Sequence, residues 1–109
     1  MPKHEFGIMP NAPKSGKRYD SYAPEKYGCI SIDDRDIGSI AERLGNLDFY
    51  WHTRSVKGKG LAYCGITLIP PSSLGAFLEI IGGEANLRQL KNLFESAQKE
   101  NKWVIHFGL

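Results

Sequence analysis

The chain of 109 residues has no long hydrophobic run, few cysteines and no strong excess of either charge. No apolar stretch approaches the ~18 residues that a membrane-crossing helix needs. No apolar segment follows Lys3, so no signal peptide is expected. The only cysteines, Cys29 and Cys64, both lie among apolar neighbours. Small secreted domains built on disulfides carry more, so two reduced, buried thiols in a cytoplasmic protein are expected. The net charge of +2 falls wholly within residues 1–28, where five basic residues oppose Glu5, Asp20 and Glu25, while the remaining charges balance. A nucleic-acid-binding domain shows a far stronger basic footprint, so neither nucleic acid nor a membrane is an expected partner.

Paired metal ligands are missing as well. His4, His52, His106, Cys29 and Cys64 include no two residues at CxxC, HxH or HxxxH spacing. Zinc sites usually contain such local pairs, because one turn must aim two ligands at one ion. No metal and no cofactor are expected. Ser15-Gly16-Lys17-Arg18 fails as a phosphate loop, with Arg18 in place of the metal-binding hydroxyl and Asn11 in place of the upstream glycine. Lys57-Gly58-Lys59-Gly60 lacks a following helix to lend its N–H groups to a phosphate and reads as a solvated hairpin loop.

What remains is ordinary globular material, with 41% hydrophobic and 24% charged residues. A chain of this length buries a sizeable core without staples. Residues 1–28 hold four of the six prolines and no apolar repeat of either period. They read as an extended arm that is ordered only where Phe6, Tyr19, Tyr22 or Tyr27 docks.

From residue 29 to the end a single α+β domain is expected. Cys29-Ile30-Ser31-Ile32 reads as a strand. Asp33 or Asp34 then caps a helix whose inner face is Ile37, Ile40, Ala41 and Leu44, stopped by Gly45. Residues 47–54 alternate as a half-buried strand, with Leu47, Phe49, Trp51 and Thr53 inward. A loop over 55–60 leads to a return strand over 61–69, whose more apolar set is Ala62, Cys64, Ile66 and Leu68. Leu74, Phe77, Leu78 and Ile81 mark a short helix after Pro70-Pro71, and Leu87, Leu90, Leu93, Phe94 and Ala97 mark a longer one over 84–100. Residues 103–107 close as a strand. This order, βαββ(α)αβ, is that of a ferredoxin-like sandwich, in which Cys29 and Cys64 would be cross-strand neighbours. The expected core is Phe49, Trp51, Ile66, Leu68, Phe77, Leu90 and Phe94.

The same alternation predicts a second sheet face carrying Cys29, Tyr50, His52, Arg54, Tyr63 and His106. Tyrosines mixed with histidine and arginine are typical of recognition surfaces, so these six are the candidate binding residues. Cys29 is the candidate nucleophile, although no helix N-terminus is in place to lower its pKa. Two readings follow. In the first, the chain is a non-enzymatic binding or regulatory module whose open sheet face takes a protein partner or a second copy. In the second, it is a small enzyme or ligand-binding domain with a pocket between that face and the N-terminal arm.

Overall fold

Six antiparallel strands form one sheet in the order β2-β1-β6-β5-β3-β4, with three helices packed on one side. The computed structural model describes residues 2–109. The strands are β1 (Lys3–Ile8), β2 (Ile30–Asp33), β3 (Asp48–Trp51), β4 (Lys57–Lys59), β5 (Ile66–Ile69) and β6 (Val104–Phe107), and the helices are α1 (Asp34–Leu44), α2 (Pro71–Ile81) and α3 (Arg88–Lys99).

The helices form where the apolar spacing placed them, and their ends follow local chemistry. Asp33 caps α1 by accepting a hydrogen bond from the Arg35 amide at 2.8 Å. Pro71 occupies the first turn of α2, where its missing N–H costs nothing. A 3-10 turn over Ala85–Leu87 precedes α3. Leu74 and Phe77 of α2 and Leu90 and Phe94 of α3 are fully buried against the sheet. Phe94 sits edge-on to Phe77 with ring centroids 4.4 Å apart, and to Phe6 of β1 at 5.9 Å. Phe49 of β3 stacks on Phe77 at 5.9 Å.

Four expectations are corrected. The first concerns the arm: residues 3–8 are a strand, inserted between β2 and β6. The second is the ferredoxin-like order. The strand containing Ile30 pairs with β1 and not with the return strand, so Cys29 and Cys64 are not cross-strand neighbours. Third, the return strand is confined to Ile66–Ile69, with β4 formed inside the expected loop. Fourth, Ile66 and Leu68 point away from the helices, while Thr67 and Ile69 face them. Period-2 alternation could not assign sides here because both faces of β5 are covered. Six of the seven expected core residues are buried; Trp51 is only half-buried, its Nε1–H donating to the Gly60 carbonyl at 2.9 Å.

The second face is apolar at its centre. Met9, Ile66, Leu68, Ile105 and Phe107 are buried there, with Tyr19, Tyr27, Cys29, Tyr50 and Trp103 packed against them. The segment between β1 and β2 therefore lies over this face.

Because Phe94 packs against the rings of Phe77 from α2 and Phe6 from β1, Phe94→Ala should cost roughly 3–5 kcal/mol through lost burial and a residual cavity. Chemical denaturation measures this, and a loss below about 1 kcal/mol would contradict the packing of α3 on the sheet.

Candidate functional site

The six residues singled out in the sequence do not form one site. Tyr50 and Cys29 lie on the second face, as expected. His52 and Arg54 stand beyond the end of β3, where both hold the overlying segment. Tyr63 and His106 lie on the helix side. Tyr63 is in the turn between β4 and β5 rather than in a strand, so alternation does not apply to it. His106 faces Phe6 and Thr67 across the sheet, and every residue of its strand is buried, so the strand offers no polar side to read.

The overlying segment is fastened at a few points. The Met9 amide donates to the Trp103 carbonyl at 2.9 Å. The Arg54 guanidinium donates to the Pro13 carbonyl at 2.9 Å and lies 5.9 Å from the Trp103 ring centroid. At His52 the backbone takes a left-handed φ of 62°, which ends β3 and turns its ring toward the segment. The His52 carbonyl accepts from the Tyr19 amide at 2.6 Å. His52 Nδ1 lies 3.2 Å from the Tyr19 carbonyl oxygen and 3.0 Å from Asp20 Oδ1. Both neighbours are acceptors, so Nδ1 carries a proton. Further on, the Tyr22 hydroxyl donates to the Glu5 carboxylate. This bond pushes the Tyr22 phenol up to about 12, so the hydroxyl remains a donor at neutral pH.

Between these fastenings a cleft of about 580 Å³ remains open. Its walls include Glu5, Asp20, Tyr22, His52, Ile66 and Phe107, with Cys64 at its side. Its size falls in the range of small-molecule sites. The lining is apolar sheet surface with two carboxylates, one oriented imidazole and two aromatic rings. Cys64 is exposed, contrary to the expected buried thiol, and Cys29 is half-buried. Burial, with Glu5 and Glu25 nearby, pushes the Cys29 thiol up to about 12. That environment opposes a thiolate nucleophile at Cys29.

On the helix side a second polar group runs through the core. Thr67 Oγ1 lies 3.0 Å from His106 Nδ1, His106 Nε2 lies 2.8 Å from His4 Nδ1, and His4 Nε2 lies 2.9 Å from Asp34 Oδ1. The Tyr63 hydroxyl donates to the same carboxylate oxygen. At the other end the Ala62 amide donates to Thr67 Oγ1 at 2.9 Å. For two neutral rings these ends set the direction. Asp34 can only accept and the Ala62 amide can only donate, so Thr67 donates to His106, His106 to His4, and His4 to Asp34. The hydrogen bonds from Tyr63 and His4 hold the Asp34 carboxyl below its usual range. Burial, together with the Asp34 hydrogen bond, pushes the Tyr63 phenol up to about 12. Burial likewise pushes His106 down to about 3.

Glu5, Asp20, Tyr22, His4 and Asp34 were absent from the expected site. The signal for the first strand was present, since His4, Phe6 and Ile8 alternate with Lys3, Glu5 and Gly7. Among the described residues no three His, Cys, Asp or Glu side chains converge as a metal-ligand set. With this geometry in view, comparison with protein-family models, curated proteins and solved structures finds no match.

His106 gives a pH prediction. Its folded-state value of about 3 lies below the ~6.5 of an unfolded histidine. The unfolded chain therefore binds the extra proton first, and stability present above pH ~6.5 falls as the pH drops toward 3. By NMR the His106 ring should still show neutral-imidazole shifts at pH 5, with the melting temperature already declining; titration near pH 6.5 would contradict its burial.

Proposed function

We propose that this protein is a small-molecule-binding domain whose ligand sits in the cleft between the segment over residues 9–29 and the second face of the sheet. The observation that carries this reading is the cleft itself, with an oriented imidazole and two carboxylates set into a largely apolar wall. A few convergent polar groups in an apolar concavity are the usual makeup of ligand sites, the polar groups fixing orientation and the apolar area supplying affinity.

The alternative use of this face, docking a protein partner or a second copy, requires apolar surface that the overlying segment occupies. Met9, Tyr19 and Tyr27 pack on it, and Arg54 and His52 hold the segment in place. The centre of the face is therefore covered by a part of the N-terminal segment, one of the coverings the sequence left open. The proposed place of this activity is the cytoplasm, a reducing compartment that suits the exposed thiol of Cys64.

The test fills the cleft from its rim. Wild type and Cys64→Trp are each incubated with a small-molecule cell extract, passed over a size-exclusion column and denatured, and the released molecules are identified by mass spectrometry. Cys64 is exposed, so the variant should fold with an unchanged melting temperature. A compound retained by wild type and lost from the variant is the expected result. No retained compound, or equal retention by both proteins, would refute the reading.

A further inference from the structure

We infer that the cleft recognises an organic ammonium group carried on a small apolar or aromatic body. This rests on the ligand-binding reading above and adds the chemistry of the ligand. The key residue is Glu5, which is only 8% exposed and lies beside the apolar centre of the second sheet face. Across the sheet its direct neighbours are Phe107 of β6 and Ser31 of β2. A carboxylate offers about four lone-pair positions. Among the described residues only the Tyr22 hydroxyl donates to Glu5, and no basic side chain stands at ion-pair distance from it. Buried charges are normally paired, and Glu5 lines the cleft.

The other polar groups in the cleft point the same way. The Nδ1 proton of His52 faces Tyr19 and Asp20, so it is not offered to a ligand. Tyr22 spends its proton on Glu5. Asp20 adds a second carboxylate to the wall. Lys3 is the single Lys or Arg of the lining, and it is exposed and stands opposite Asp33 in the register. The cleft thus offers acceptors and lacks buried donors, which complements a group with several N–H bonds and a positive charge. Tyr22 and Phe107, edge to face at 5.5 Å, supply aromatic surface beside Glu5. Such surface suits both the apolar body and the cation.

Three probes of nearly equal shape separate this chemistry from the cleft reading itself. 2-Phenylethylamine, 2-phenylethanol and 3-phenylpropionate are each titrated into the full chain, with amide resonances followed by NMR. The amine should shift resonances of residues around the cleft and bind about tenfold more tightly than the alcohol, as befits one charge-assisted hydrogen bond. Glu5→Gln, which keeps the acceptor for Tyr22, should abolish that preference, bringing the amine to the affinity of the alcohol. Alcohol or carboxylate binding as tight as amine binding in wild type would overturn the ammonium inference and leave the cleft reading standing. An amine preference that survives Glu5→Gln would also overturn it, since recognition would not then run through Glu5. No shift around the cleft with any probe would count against both readings.

Discussion

The double pairing of β1 is the constraint on which the rest of this structure depends. Lys3–Ile8 is bonded to β2 on one side and to β6 on the other, so its register is set twice. Its side chains then divide strictly between two environments. His4 and Phe6 face the helices, where they meet His106, Phe77 and Phe94. Glu5 and Gly7 face the other way, toward the segment that follows. A slip of one residue would put the Glu5 carboxylate among the phenylalanines and His4 outside, so both faces together resist it.

The two faces treat their polar groups differently. On the helix side the chain from Ala62 through Thr67, His106 and His4 to Asp34 is bonded at every link, and for two neutral rings its ends fix the direction of each hydrogen bond. A buried network of that kind favours one arrangement and ties three strands and the start of α1 to it. On the second face the polar groups are held from one side only. Asp20 and the Tyr19 carbonyl orient His52, and Tyr22 engages Glu5, but the cleft-facing portions of both sites are left without a partner. This difference between a fully bonded polar core and a partly bonded cleft is what the proposed ligand-binding reading rests on.

Elements that use one clear period were legible in the sequence. The i, i+3, i+4, i+7 spacing of Ile37, Ile40, Ala41 and Leu44 found α1, and the corresponding sets found α2 and α3, the latter expected to start earlier, over what is a 3-10 turn. The first strand was missed because packing demands glycine inside it. A Cβ at Gly7 would come within 2.7 Å of Cys29 Sγ and of Tyr27 Cβ, where the returning chain crosses β1. In sequence that glycine, with Pro10 close behind, reads as loop. The sides of β5 and β6 were illegible for a different reason, since strands buried on both faces carry no polar alternation. The candidate site was half readable. Alternation put Tyr50 and Cys29 on the correct face, but Glu5, Asp20 and Tyr22 become neighbours of His52 only through the path of the segment between β1 and β2, which no local pattern specifies.

Native-state hydrogen exchange tests the central position of β1 most directly. The amides of Phe6 and Gly7 should exchange as slowly as that of Ile105 in β6, because all belong to interior strands opened only by large-scale unfolding. Exchange of Phe6 and Gly7 at the rate of the exposed residues 14–17 would show that the first residues lie outside the sheet, and both the histidine chain and the cleft would then lose their foundation.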